Sequence, residues 1–264
     1  MTPTLIAPAR EAYDALAAAY DTLTAAYAHD RWLGAITALA SEHGLAGGRR
    51  ALDVACGTGK SFLPLLAAGW EITACDISPE MAARAAVKAD GRAAVHVADM
   101  RELPVYGSFD LITCLDDAVN HLLTEDDVVA ALGGMRANLA PGGLVAFDVS
   151  TPAAYRSAAG DAVVEDADQL VLWRGQDDGL PAPGGEVEVL VEVFSRRDGD
   201  LWERRRSHQR HRHYPLADLR RLLAAAGLEV AAVRGQWPGA VLDADVDEDR
   251  HPKLVILARK GGPT

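Results

Sequence analysis

Asp53-Val54-Ala55-Cys56-Gly57-Thr58-Gly59-Lys60-Ser61 follows directly on the apolar pair Ala51-Leu52, and its reading decides the fold. The apolar start reads as a short buried strand, the glycines as a tight turn, and Lys60 as the opening of a helix. Such a strand–turn–helix lays a nucleotide-like ligand against backbone N–H groups at a helix N-terminus. What stands downstream narrows the ligand. Asp76 closes a second apolar run, Glu71-Ile72-Thr73-Ala74-Cys75-Asp76, at the spacing where a carboxylate holds two ribose hydroxyls. Asp99 closes a third, Val95-His96-Val97-Ala98-Asp99, and with the backbone of Met100 is placed to meet an adenine edge. Three successive strand ends describe one adenosine-sized ligand.

Outward from this stretch, strand and helix alternate. The pattern predicts strand 50–55, helix 60–68, strand 71–75, helix 79–88 behind the cap Ser78-Pro79, strand 93–97 and strand 109–114. A helix then starts at Thr124, and Pro141-Gly142-Gly143 turns into strand 144–149. This order predicts an α/β fold with a parallel sheet covered on both faces. Residues 9–45 read as helix, with Tyr13, Leu16, Tyr20, Leu23 and Tyr27 on one apolar stripe and a break near His29-Asp30. After Pro152 the pattern changes to antiparallel strands over 162–174, 186–197 and 201–214, joined by polar turns at 177–185 and 198–200. Helix 215–226, strand 228–234, an acidic loop over 236–250 and strand 253–259 complete the chain. The expected organisation is a helical lid (1–48), a core (49–152 and 215–264) and an antiparallel insertion over the acceptor site (153–214).

The formal charge of −12 over 264 residues argues against a nucleic-acid backbone as partner, since phosphate binding needs a basic footprint. No run reaches membrane-spanning length. Cys56, Cys75 and Cys114 form no disulfide framework, so reduced thiols and a cytoplasmic location are expected.

Three readings compete for the glycine turn. Gly59-Lys60-Ser61 copies the end of a phosphate loop, but the glycine required five residues before Gly59 is Val54. Gly57-x-Gly59 supplies two glycines of a dinucleotide site, but the third position is Phe62. S-adenosylmethionine has no phosphates, and a negative Asp53 near its positive end suits it better. Here the chain resembles the class I methyltransferases over nearly its whole length. The matching pieces are Leu52-Asp-Val-Ala-Cys-Gly-Thr-Gly59, Cys75-Asp-Ile-Ser-Pro-Glu-Met81, Ala98-Asp-Met-Arg-Glu-Leu103, Phe109-Asp-Leu-Ile-Thr-Cys114 and Leu139-Ala-Pro-Gly-Gly143. Ala55 stands where that family often has its first glycine; a small residue there reads as neutral. The resemblance implies a Rossmann-like seven-stranded sheet whose last strand is antiparallel, and S-adenosylmethionine as cofactor. Tyr13-Asp-x-Leu-Ala-x-x-Tyr20 and Trp32 are similar to the helical cover of YqeM-like proteins and of amino-sugar N-methyltransferases, and Leu201-Trp-Glu-Arg…Tyr214 to their inserted strands.

The resemblance implies that Asp53, Ala55, Cys56, Gly57, Asp76, Ile77, Asp99, Met100 and Leu115 surround the cofactor. Tyr20 is expected to close over its methionine end, with a part in catalysis, and Trp32 to contact it from the lid. His121, in the loop after strand 109–114, is the expected general base, because a ring of near-neutral pKa takes a proton from an attacking group. Asp116 and Asn120 are expected to orient the acceptor. In the basic run Arg204-Arg-Arg-Ser-His-Gln-Arg-His-Arg-His213, strand alternation puts His211 and His213 on one side and His208 on the other, so no metal site is expected. That run is either a solvated edge strand or, through Arg204, His211 and His213, a wall of the acceptor pocket that holds an anionic group, carboxylate or phosphate. The expected activity is methyl transfer to nitrogen or oxygen of a small molecule, in bacterial secondary metabolism. No nucleic acid or membrane partner is expected, and a homodimer is left open. The competing classes are a cofactor-binding enzyme of another reaction and a cofactor-binding regulatory protein.

Overall fold

The computed structural model describes residues 6–45, 47–158, 162–175, 182–197 and 199–262. Strands β1 (Arg50–Val54), β2 (Glu71–Asp76), β3 (Ala93–Val97), β4 (Phe109–Cys114) and β5 (Leu139–Ser150) run parallel, in the spatial order β3-β2-β1-β4-β5. The interiors of β1, β2, β4 and β5 are buried, while β3 is the half-exposed edge: Leu52, Val54, Ile112, Val145 and Phe147 lie in one core beneath the sheet, Ala51, Ala74, Leu111 and Ala146 in another above it. Apolar residues on both faces of a strand are what a sheet covered twice requires.

The helices end where their sequence says they must. In α5 (Pro79–Ala89) the Ser78 side chain accepts from the Met81 N–H, and Asp90 at its end takes the left-handed conformation. In α6 (Glu125–Ala137) Thr124 accepts from the Asp127 N–H and donates back to its carboxylate, so the cap closes on itself. The helix expected from Lys60 starts three residues later, as α4 (Leu63–Ala67), because residues 55–62 are spent on turns.

Beyond β5 the sheet continues with β12 (Lys253–Lys260), β10 (Leu228–Trp237) and β11 (Val241–Asp243). β12 is antiparallel to both β5 and β10, so the reversed last strand is present. The seven expected strands are joined by an eighth, β11, which pairs with the end of β10 inside the acidic stretch read as loop. Pro141-Gly142-Gly143 lies within β5, past a register shift in its pairing with β4. Helix α8 (Leu216–Ala225) precedes β10.

The expected helix over 9–45 is three: α1 (Ile6–Leu16), α2 (Tyr20–Leu23) and α3 (His29–Glu42). Between them lie turns at 17–19 and 24–28 that the apolar stripe, read alone, runs through. After α7 (Pro152–Ala158) a separate antiparallel sheet has the order β6 (Ala162–Glu165), β7 (Gln169–Gly175), β8 (Glu186–Arg196), β9 (Trp202–Arg212). Of the turns predicted at 177–185 and 198–200, residues 177–181 and 198 lie outside the described residues, as do residues 1–5 of the lid expected over 1–48. One face of this sheet, with Val171, Val189, Val191 and Val193, packs on Leu16 and Ala19 of the lid and on Tyr13, Tyr20 and Leu23. Lid and insertion thus share a core of their own. All three cysteines are unpaired and buried.

Candidate active site

The parallel strands deliver their following turns to one end of the sheet, where ligands of open α/β folds bind. After β1, Ala55, Gly57 and Gly59 all have positive φ (57°, 53° and 90°). The turn brings the Gly57 N–H to Asp76 Oδ2 at 2.8 Å, while Asp76 Oδ1 accepts from the Ser78 N–H at 2.8 Å. Each carboxylate oxygen keeps a lone pair free for a ligand hydroxyl. Burial pushes Asp76 up to about 6, against these two hydrogen bonds. Ala55, expected to be neutral, is not: a side chain in the left-handed region costs about 1 kcal/mol.

A cleft of about 90 Å³ lies over this turn, lined by Ala55, Gly57, Asp76, Ile77, Asp99, Met100, Leu115, Asp116 and His121, with Ala9, Tyr13 and Tyr20 of the lid above. Asp99 is held by the Arg101 guanidinium, which keeps its carboxyl below the usual range against the cost of burial. Three expected members stand elsewhere. Asp53 is buried beneath the turn, accepting from Ser61 and, at 2.6 Å, from Thr113; it braces β1, the turn and β4. Cys56 packs in the core, and Trp32 lies in the same cluster with Lys253 Nζ 5.1 Å from its ring centre. Lys60 donates to the Thr24 carbonyl at 2.7 Å, and Thr58 to Asp21 at 2.6 Å. The polar side chains of the glycine turn therefore hold the lid and leave nothing for a phosphate chain.

A second cavity, of about 580 Å³, separates the lid and the end of the main sheet from the inner face of the insertion. Its polar floor comes from the turn after β4, where Asp116 and Asp117 are consecutive residues with φ of 60° and 52°. Two left-handed aspartates in a row persist only where surroundings fix them. Here the fixing group is Lys253 at the start of β12: its Nζ lies 2.8 Å from Asp148, 3.6 Å from Asp116 and 3.7 Å from Asp117. His29 Nε2 adds 2.9 Å to Asp116, and the Asp117 N–H donates to Asp148 at 3.1 Å. Burial disfavours the Lys253 charge, but the three carboxylates raise its pKa well above the ordinary value. Asp116, despite its own burial, is held below the usual range by Lys253 and His29. Burial lifts Asp148 to about 6, with Lys253 opposing.

His121 closes the 3-10 turn Ala118–His121, and its Nε2 lies 2.6 Å from the Tyr13 hydroxyl. Burial, then the neighbouring His211 ring at 4.2 Å, holds His121 well below its ordinary pKa, so it is a neutral imidazole. Asn120, expected at the acceptor, is wholly buried: it donates to Tyr155 Oη and the Arg212 carbonyl and accepts from the Ser150 N–H. Its contact is with the scaffold that sets His121. His211 is on the cavity wall, but the other two members of its expected set are not. His213 bonds Glu248 at 3.2 Å outside the cavity. Arg204, two-stranded parity apart from His211, points outward and pairs with Glu192. Along β9 the outward Arg204, Arg206 and Arg210 are exposed and paired, which is the solvated edge expected of that run.

Tyr13, Tyr20 and Asp116 line both cavities and mark their junction. A methyltransferase domain family matches residues 51–143. YqeM of Bacillus subtilis is 28% identical over 229 residues, spanning 85% of this chain and 90% of that protein. The cypemycin N-terminal methyltransferase of a Streptomyces species is 27% identical over 230 residues, spanning 85% and 89%. A solved S-adenosylmethionine-dependent methyltransferase of Clostridium acetobutylicum superposes with a TM-score of 0.78 at 24% identity, covering 95% of this chain and 99% of that one. The chain carries a methyltransferase domain and is similar along most of its length to S-adenosylmethionine-dependent methyltransferases of class I fold. Amino-sugar N-methyltransferases are among its structural neighbours.

The residues of the cleft fit that cofactor. The Asp76 carboxylate has lone pairs for ribose hydroxyls, Ile77, Met100 and Leu115 give apolar contact for an adenine, and Gly57 keeps the turn open where a Cβ would meet Tyr20 at 3.4 Å. The cleft, of about 90 Å³, is capped by Ala9, Tyr13 and Tyr20. Sequence reading left out Tyr13, Asp117 and Lys253. Tyr13 was hidden in the lid's apolar stripe. A lysine opening a strand as apolar as Lys253-Leu-Val-Ile-Leu257 was the available signal for a buried charge partner.

Proposed function

We propose that this methyltransferase transfers a methyl group to an amine nitrogen of a small molecule held in the 580 Å³ cavity. The observation that carries the reading is the junction at Tyr13, Tyr20 and Asp116, where an acceptor in the large cavity meets a cofactor in the cleft. S-adenosylmethionine supplies a methyl group already activated by a positive sulfur, so the acceptor nitrogen takes it with its lone pair and gains the positive charge. Holding acceptor and donor in line accounts for much of the acceleration.

The charges of the cavity favour nitrogen over oxygen. Asp116, Asp117 and Asp148 face the single ammonium of Lys253, so a cationic nitrogen is stabilised there and an alkoxide is not. The protein's own hydroxyls register the same field. Burial raises Tyr13 and Tyr20 well above their ordinary pKa, and Asp116, Asp117 and Asp76 add to it. An acceptor hydroxyl would meet the same penalty. The proton released from nitrogen passes to His121, whose neutral ring stands against Tyr13 at the junction. Partial similarity, 31% identity over 97 residues, to an amino-sugar N,N-dimethyltransferase of Saccharopolyspora spinosa supports nitrogen as well. We place the acceptor in bacterial secondary metabolism and the enzyme in the cytoplasm, and we assign the lid to 1–48 and the insertion to 153–214.

The test is formation of S-adenosylhomocysteine with amines and with alcohols of the same carbon skeleton. Turnover with amines, reduced by Asp117→Asn, supports the reading; turnover confined to alcohols refutes it.

A further inference from the structure

The inner face of the insertion carries polar atoms without partners. Among the described residues ten buried side-chain nitrogen or oxygen atoms lack a hydrogen bond, and four sit on this one face: Trp173 Nε1, Ser207 Oγ, Gln209 Nε2 and His211 Nε2. Sheet register explains the cluster. Trp173, Val191 and Ser207 form one cross-strand row, Gly175, Val189 and Gln209 the next, and Val187 and His211 the third. Gly175 adds no side chain to its row, so beside Val189 the row's only polar side chain is Gln209. Trp173, Gln209 and His211 all line that cavity, and Gln209 and His211 are 4% and 5% exposed. An unpaired buried polar group is costly, and strands of valine at the same positions would avoid the cost.

We propose that Trp173, Gln209 and His211 form the specificity wall of the acceptor cavity, binding uncharged oxygens on the body of the acceptor while its amine faces Asp116 and Asp117. This rests on the reading of the cavity as the acceptor site. The indole N–H is a donor only, so at least one group it meets is an acceptor oxygen. The oxygens are hydroxyl, ether or carbonyl, because no cation is left for a carboxylate or phosphate. Lys253, the one lysine or arginine among the described residues that line the cavity, is taken by three carboxylates; Arg204, Arg206 and Arg210 lie on the opposite face of the sheet, and Arg205, on the same face as Gln209, is exposed outside the cavity and paired with Glu203. The wall also selects against bare alkylamines, which would leave its groups unpaired. A site built to hydrogen-bond rejects an analogue lacking the partner far more strongly than an apolar pocket rejects an added hydroxyl.

Three amines of matched chain length test this: 1-amino-1-deoxysorbitol, hexylamine and 6-aminohexanoate. Binding to the full chain saturated with S-adenosylhomocysteine is read by calorimetry, and methylation is read separately with S-adenosylmethionine. The aminopolyol is expected to bind about tenfold or more tighter than either other amine. Gln209→Leu and Trp173→Phe should each erase most of that advantage, weakening the aminopolyol and tightening hexylamine, without moving S-adenosylhomocysteine binding. Unchanged S-adenosylhomocysteine affinity shows that a variant is folded, and Gln209→Asn serves as the milder second variant. Equal binding of all three amines, no binding of any, preference for the carboxylate, or an advantage untouched by both variants overturns the wall. Preferential binding without methylation keeps the wall and removes the amine-methylation reading instead.

Discussion

The Tyr13 hydroxyl and His121 Nε2 stand 2.6 Å apart, a lid residue bonded to a core residue across the junction of the two cavities. Tyr13 is raised well above its ordinary pKa and His121 is held well below its own, so both are neutral and one hydrogen is shared between them. The contact ties the N-terminal helix to the proposed base. His121→Asn should lower kcat by about 10²-fold, the lower range for a lost acid–base group. Tyr13→Phe should lower it by roughly tenfold, with the cofactor Kd little changed. Steady-state kinetics at saturating acceptor measures both; an effect on KM alone would mean that the pair only packs.

Asp76 gives the cofactor affinity a pH dependence of known sign. Its folded-state pKa is about 6, so it is ionised above that value and protonated below it. Protonation replaces an acceptor lone pair by an O–H, and S-adenosylhomocysteine affinity should fall as the pH drops through about 6. The stability of the unloaded protein moves the other way on this group's account. A raised carboxyl costs stability above its folded pKa, and that cost is relieved as the pH falls from 6 towards the ordinary 3.8. Calorimetry from pH 5 to 8 checks the first, and Asp76→Asn should bind weakly at every pH.

Lys253 is the charge on which the strained floor depends. Lys253→Met leaves Asp148, fully buried, without its 2.8 Å partner and releases Asp116 and Asp117. Removing one partner of a buried pair costs about 3–5 kcal/mol. Urea denaturation should show that loss, and adding Asp148→Asn should restore a good part of it, because no bare charge then remains.

Ala55→Gly should stabilise the protein by about 1 kcal/mol, since the residue sits at a φ of 57° that glycine adopts freely. Gly57→Ala should do the reverse and disturb the turn under the cofactor cleft, because its φ of 53° is left-handed and strained for any residue with a Cβ. Chemical denaturation of both variants gives the two signs directly.

The sheet was legible because its strands are bounded by sharp chemical signals: Ser78-Pro79 and Thr124 as caps, and aspartates at strand ends. The eighth strand was not, because Val241–Asp243 is stabilised by pairing with β10 and not by its own acidic sequence. In the cleft, Asp76, Asp99 and His121 were readable from their place after strands. Asp53 has the same kind of position, but its hydrogen-bond partners Ser61 and Thr113 come from 8 and 60 residues away. The larger cavity was the least legible part. Its floor joins Asp117 to Lys253 and its wall joins Trp173 to Gln209, pairs that only tertiary packing brings together. Parity along β9, by contrast, was available from sequence and separates Arg204 from His211.

Transfer of a trideuteromethyl group from labelled S-adenosylmethionine to an amino alcohol, with the product located by NMR, tests the central claim most directly. The cavity charges predict the label on nitrogen, lost when Asp116 and Asp117 are both replaced by asparagine. Label on the hydroxyl oxygen of the same molecule would contradict the assignment of this cavity to an amine.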